Sequence, residues 1–156
     1  ARLGEAHREA EIRMTDAARP EDRPGVERLL ADAGLPTADL GTAPDLRFHV
    51  VREHGRVVGA IGLERYGTAG LLRSLVVAPG LRGRGLGAEL VEALEQDALA
   101  AGIETLVLLT QTAETFFARR GYVRIDRAAA PAAVRTSAEF TSLCPSSATT
   151  MLKSLR

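Results

Sequence analysis

One cysteine, Cys144, stands in the whole chain, so no disulfide can form within it. A reducing, cytoplasmic setting is the expectation that follows. Net charge is lacking too: 20 Lys and Arg balance 20 Asp and Glu. The total therefore offers no bulk attraction for nucleic acid or for an anionic membrane surface. Any anion site must come from local geometry. No apolar run approaches the ~20 residues of a membrane span. The 3 histidines show no metal-ligand spacing, so no metal is expected. Ala1 to Glu11 is charged and lacks the apolar centre of a signal peptide. It is expected to be partly disordered or extra to the fold.

What is present is an ordinary globular balance, with 46% hydrophobic and 26% charged residues in a chain of 156. That is enough for one domain, 1–156, with a core. Arg13 to Thr15 is a short strand candidate. Glu21 to Ala33 reads as a helix, with Val26, Leu29, Leu30 and Ala33 on one face and Gly34 and Pro36 as its stop. Leu35 to Pro44 is turn-rich. Arg47 to Glu53 and Arg56 to Leu63 read as strands joined at His54-Gly55, the second ending at Glu64. Tyr66 to Gly70 reads as a turn and Leu71 to Val77 as the next strand. Gly85 to Ala101 is the strongest helix, with Leu86, Leu90, Leu94 and Ala98 four apart and Gly102 as its end. Glu104 to Thr110 is a strand apolar at nearly every position. Ala113 to Arg120 reads as a short helix and Tyr122 to Asp126 as a strand. Arg127 to Ser147 is irregular apart from a short helix from Ala132, and Ala148 to Leu155 is a last strand. The fold class is α/β (α+β): a mixed central sheet, mostly antiparallel, flanked by helices.

The segment Leu81-Arg82-Gly83-Arg84-Gly85-Leu86-Gly87 joins the strand at Val77 to the strongest helix. The first turn of a helix has N–H groups without intrahelical partners and a partly positive end. Glycines let a ligand approach the backbone, and Arg82 and Arg84 add full charge. These features suit a pyrophosphate or another polyanion. No Gly-Lys-Ser or Gly-Lys-Thr is present, which excludes a Walker A loop. Gly83, Gly85 and Gly87 give G-x-G-x-G, which misses the dinucleotide spacing G-x-G-x-x-G.

Arg82, Gly85 and Gly87 do match R-x-x-G-x-G. Together with the element order from Val57 to Asp126, including Phe116-Phe117-Ala118-Arg119-Arg120-Gly121-Tyr122, the chain resembles the GNAT superfamily of acetyl-CoA-dependent N-acetyltransferases. Gly62-Leu63-Glu64-Arg65-Tyr66-Gly67, Leu72-Arg73-Ser74-Leu75, Asp126-Arg127 and Ser142 to Ala148 are similar to a GNAT subgroup associated with arsenic-resistance operons. That subgroup is itself similar to the acetyltransferase domain of N-acetylglutamate synthases.

The resemblance implies acetyl-CoA as co-substrate, with the pyrophosphate on Arg82, Gly83, Arg84, Gly85, Leu86 and Gly87. It also implies that Leu75, Val76 and Val77 pair by their backbone with the pantetheine amides, and that the Val77 N–H polarises the acetyl carbonyl. Phe117 and Arg120 are placed on the cofactor side. Phe117 departs from the pattern: many family members have a tyrosine there that protonates the leaving thiolate. Water, Tyr122, Thr110 or Thr112 remain as acids, or none is needed. Tyr122 equally suits packing at a strand start.

Glu64 is the candidate general base; an ion pair with Arg65 or Arg73 is the plain alternative. Arg73 and Ser74 interrupt an apolar strand. Arg73 must reach solvent, a cleft or a partner. A substrate carboxylate is one use for it, with Ser74 and Thr110 beside it, and a solvent-facing position is the other. Arg127 and Arg135 are further candidates for that carboxylate. Cys144 invites covalent chemistry, but neither His49 nor His54 is placed as its base, so a structural role is the default. The expected reaction is direct acetyl transfer in a ternary complex to a primary amine of a small molecule, such as an amino acid or amino-acid-like toxin. A CoA-binding sensor without turnover and an ATP- or NAD-binding module are the alternatives. GNAT proteins are often dimers, and the last strand is the candidate contact.

Overall fold

The computed structural model describes residues 13–43 and 45–156. The extension expected over Ala1 to Glu11 lies outside the described residues. Among the described residues there are seven strands: β1 (Arg13–Ala17), β2 (Leu46–Glu53), β3 (Arg56–Tyr66), β4 (Ala69–Val77), β5 (Thr105–Thr110), β6 (Val123–Ile125) and β7 (Thr149–Ser154). The helices are α1 (Arg23–Asp32), α2 (Leu86–Ala100), α3 (Glu114–Ala118) and α4 (Ala132–Arg135).

The strands form one sheet in the order β1-β2-β3-β4-β5-β7-β6. β1 and β2, β5 and β7, and β6 and β7 pair antiparallel. β4 pairs parallel with β5, Ala69 to Leu71 against Thr105 to Val107. A mixed, mostly antiparallel sheet flanked by helices is thus what forms. β7 has a strand on each side. Among the described residues the outer strands are β1 and β6.

Element ends elsewhere shift by one or two residues, and two shifts around β3 and β4 bear on the site. β3 continues past Glu64 to Tyr66, and β4 begins at Ala69. The turn between them is therefore only Gly67-Thr68, with Gly67 at φ 66. Gly70 is a packing glycine within the strand. A Cβ there would lie 2.9 Å from Leu63 Cδ1 and 3.0 Å from Leu106 Cδ2.

The described residues group into two compact units: residues 13–37, 47–62 and 74–94, and residues 38–43, 45–46, 63–73 and 95–156. In the first unit Val26, Leu30, Val50, Val51, Ala60, Ile61, Leu86 and Leu90 are buried. A Cβ on Gly59 would meet Leu90 Cδ1 at 3.2 Å, so the glycine lets α2 sit close on the sheet. Arg52 on β2 joins this unit's parts. Its Nε donates to Asp22 Oδ1 at 2.9 Å, its Nη2 to Asp22 Oδ2, and its Nη1 to Asp16 Oδ1 at 2.9 Å. That guanidinium holds Asp22 below the usual carboxylate range against the opposing effect of burial.

In the second unit Ala69, Leu71, Val107, Ala130, Val134 and Phe140 form one cluster, flanked by Tyr66, Leu109, Ile125 and Leu152. The stretch read as irregular is partly ordered. A 3-10 turn covers Arg127–Ala129, α4 follows, and a π-helical turn covers Glu139–Leu143. The Cys144 N–H closes that turn on the Glu139 carbonyl at 3.1 Å. Single π turns recur at functional sites because they redirect side chains from their helical rows.

Candidate functional site

The Arg/Gly segment lies in the first unit, between a 3-10 turn at Pro79–Leu81 and the first turn of α2. Gly83 and Gly85 take φ 85 and φ 79. Residues with a Cβ rarely adopt those values, so the loop's shape depends on glycine. A Cβ on either would meet nothing within 4 Å, so the space over this backbone is open. The Gly85 carbonyl accepts the Glu89 N–H at 3.1 Å and so begins the helix. The N–H groups of its first turn are then left for another acceptor. Arg82 and Arg84 are exposed here, and Arg82 Nε lies 3.5 Å from the Val77 carbonyl. The fifteen residues of α2 align enough peptide dipoles for a partly positive end. An open, positive, glycine-lined helix start fits a pyrophosphate.

Just before this loop, β4 contains a left-handed residue, Ser74 at φ 59. Such a residue interrupts a regular ladder and re-aims the strand beyond it. Leu75, Val76 and Val77 follow it; Val76 is buried and the other two are half-buried.

The second unit holds a cluster that no single motif announced. Arg73 is buried, and all three of its guanidinium nitrogens face carboxylates. Nη1 donates to Asp39 Oδ2 at 2.6 Å and to Glu64 Oε2 at 2.7 Å. Nη2 donates to Asp39 Oδ1 at 2.9 Å, and Nε lies 3.4 Å from Glu139 Oε2. Glu64 is 1% exposed, Glu139 4% and Asp39 8%. Arg73 is thus neither solvent-facing nor open to a substrate carboxylate; an incoming one would have to displace an internal one. Tyr66 Oη completes the group by donating to Glu64 Oε1 at 2.5 Å. Glu64 and Tyr66 are two apart on one strand and so share a face.

The charges are unequal: three carboxylates share one guanidinium. Glu139 bears the consequence. Burial pushes its carboxyl up to about 7, Arg73 opposes the rise, and Glu64 and Asp39 add to it. Cys144 hydrogen-bonds Glu139, and burial with that carboxylate pushes the thiol up to about 12. A thiol so raised is held protonated at neutral pH, which disfavours the thiolate that a nucleophile needs. Burial and Glu64 push the Tyr66 phenol well above its ordinary value. A cavity of about 150 Å³ opens on the cluster, lined by Asp39, Thr42, Glu64, Tyr66, Thr136 and Ser137 among others.

The remaining candidates are occupied locally. Arg127 donates to the carbonyls of Pro145 at 3.0 Å and Phe140 at 2.8 Å, and so staples the π turn. Arg135 Nε donates to the Ala130 carbonyl at 3.1 Å. Neither is arranged for a substrate carboxylate. Thr110 Oγ1 accepts the Ala113 N–H at 3.0 Å at the start of α3. Phe117 is buried edge-to-face between Phe116 and Tyr122. The Tyr122 hydroxyl donates to Glu95 at 2.8 Å, which leaves it a packing residue. Arg120 stacks 3.7 Å from the Phe116 ring centroid and donates to the Phe116 carbonyl at 2.7 Å.

Asp39, Glu139 and Tyr66 escaped the sequence reading. The available signal was Arg73 itself: a guanidinium inside an apolar strand demands carboxylates from elsewhere in the chain.

Comparison with known proteins agrees with this architecture. Residues 10–122 match the model of the acetyltransferase (GNAT) family. A curated relative, an IAA acetyltransferase of Azospirillum brasilense, is 42% identical over 69 residues, which is 43% of this chain and 45% of that protein. The chain spans less than half the length of the curated relatives it matches. Among solved structures, Rv2747 from Mycobacterium tuberculosis, in complex with CoA and NLQ, superposes with a TM-score of 0.76. It is 26% identical, over 92% of this chain and 99% of that one. N-acetylglutamate synthase from Neisseria gonorrhoeae, complexed with CoA and N-acetyl-glutamate, shares the fold at a TM-score of 0.77. Its identity is 19%, over 92% of this chain and 35% of that one. With a family match that spans most of the chain and a glycine-built helix start at the motif position, the chain belongs to the GNAT acetyltransferase family.

Proposed function

We propose that this chain is an acetyl-CoA-dependent N-acetyltransferase acting on a primary amine of a small molecule. The donor half rests on one observation: Gly83 and Gly85 hold positive φ over open space at the start of α2. The pyrophosphate of acetyl-CoA would sit on the N–H groups of that turn, flanked by Arg82 and Arg84. The backbone of Leu75, Val76 and Val77, re-aimed by Ser74, would pair with the pantetheine amides. The family resemblance assigns Phe117 and Arg120 to the donor side as well.

The acceptor half rests on the carboxylate excess around Arg73. Such a cavity favours an ammonium over a carboxylate, because a cation offsets charge that one guanidinium leaves unbalanced. Glu64 is the base in this reading, and Arg73 holds it in place. Thr110 and Ser74 are polar groups the acceptor could meet. The amine, once deprotonated, attacks the thioester carbonyl, whose oxygen accepts the Val77 N–H. The C–N bond forms and the C–S bond breaks. The second amine proton passes to water as the thiolate leaves. With Phe117 in place of a tyrosine, no phenol on α3 supplies an acid. A thiol with pKa about 8.5 leaves tolerably as the thiolate and takes a proton from water.

The cavity of about 150 Å³ suits the end of a small amine, such as an amino acid or amino-acid-like toxin, arsenic-containing ones included. The test is thiol release from acetyl-CoA in the presence of L-glutamate, phosphinothricin, kanamycin or spermidine. Amine-dependent release, with an acetylated amine found by mass spectrometry, is the expected result.

A further inference from the structure

We infer that the Tyr66 hydroxyl is the catalytic relay that carries the acceptor's proton to Glu64. The inference rests on the acetyl-transfer reading above and adds a residue to it. Glu64 is placed as a base but exposes only 1% of its surface. One carboxylate oxygen receives Arg73 and the other receives Tyr66. Glu64 and Tyr66 both line the cavity, and an ammonium entering it finds both Glu64 oxygens already engaged, with Tyr66 Oη bridging to Oε1. Tyr66 is half-buried and lines the same cavity as Asp39, Thr42, Thr136 and Ser137. Its hydroxyl is already aligned, donating to Glu64 Oε1 at 2.5 Å. Short O–H···O⁻ contacts of this kind are charge-assisted and suited to proton movement.

The step balances without a further reagent. The ammonium N–H donates to Tyr66 Oη while the Tyr66 O–H proton passes to Glu64 Oε1. The products are a free amine, a neutral phenol and a protonated Glu64. The phenol never has to exist as phenolate, which fits a hydroxyl whose ionisation is opposed by burial and by Glu64. Asp39 and Glu139 are positioning residues. They share the Arg73 guanidinium with Glu64 and so fix where that guanidinium sits beside the Glu64 carboxylate. When product leaves, Glu64 returns its proton to water along the same path.

The test compares wild type, Tyr66→Phe, Glu64→Gln and the double variant, with the best acceptor among L-glutamate, phosphinothricin, kanamycin and spermidine. Tyr66→Phe should lower kcat/KM for the amine at least ~10²-fold at pH 7, within the usual range for general base catalysis. Acetyl-CoA affinity by calorimetry should be unchanged. The deficit should shrink as pH rises toward the amine's own pKa, where free base needs no relay. Glu64→Gln should give a similar deficit, and the double variant should add little, since both act on one path. If Tyr66→Phe matches wild type, or loses the same factor at every pH, the relay is overturned while acetyl transfer stands. If wild type acetylates none of the four amines, the acetyl-transfer reading falls and takes the relay with it.

Discussion

Glu139 and Cys144 show how one residue's environment sets its chemistry. The Glu139 carboxyl has a folded pKa of about 7, raised first by burial. A carboxyl raised on folding contributes stability that is complete below its unfolded value of about 4.3. That contribution is lost as pH rises through 7. Glu139→Gln should therefore abolish this contribution to the pH dependence. The variant's melting temperature should gain on wild type between pH 5 and pH 8, as measured by thermal unfolding at both. Cys144, held as a thiol by burial and by Glu139, should react with a disulfide reagent at neutral pH far more slowly than a free thiol. Cys144→Ser should keep full turnover, and a loss of more than about tenfold would reinstate a chemical role for the sulfur.

At the scale of elements, the strand–loop–helix unit of β4 and α2 was legible because its signals are local. The apolar spacing of Leu86, Leu90, Leu94 and Ala98 marked a helix face, and all four are buried. The glycines marked the helix start, and two take positive φ. The Arg73 cluster was illegible because its members are far apart in the chain, 34 residues for Asp39 and 9 for Glu64. Asp39 sits in a turn-rich loop and Glu139 in a stretch whose π turn has no apolar period of its own. Tyr66 was hidden differently. The stretch Tyr66 to Gly70 read as a turn, yet Tyr66 ends β3 and Gly70 lies within β4, packed against Leu63 and Leu106. The loop makes its own prediction. Gly85→Ala adds no clash, so its cost is conformational, about 1–2 kcal/mol for a left-handed residue with a Cβ. If the loop relaxes to avoid that cost, acetyl-CoA affinity should fall about tenfold, since 1.4 kcal/mol is one decade. Gly102→Ala, also at positive φ but after α2, should lower stability without changing that affinity. Calorimetric titration with acetyl-CoA separates the two.

For the whole molecule, a neutral total charge concealed two opposed local fields. Arginines at a helix start make a positive loop in one unit. Carboxylates around a single guanidinium make a negative cavity in the other. The first suits the donor's phosphates and the second an ammonium, and β4 contributes to both, with Val77 before the loop and Arg73 in the cluster. Among the described residues no helix is long and apolar enough to cross a membrane. The family and the fold were within reach of the sequence, since element order and one loop carry them. The acceptor's surroundings required the folded chain. The most direct test of acetyl transfer to a small amine is thiol release from acetyl-CoA by the purified chain, followed with L-glutamate, phosphinothricin, kanamycin and spermidine. Release that depends on the amine and yields its N-acetyl product is the predicted result. Tight acetyl-CoA binding with no amine-dependent release from any of the four would contradict it and make the chain a CoA-binding sensor.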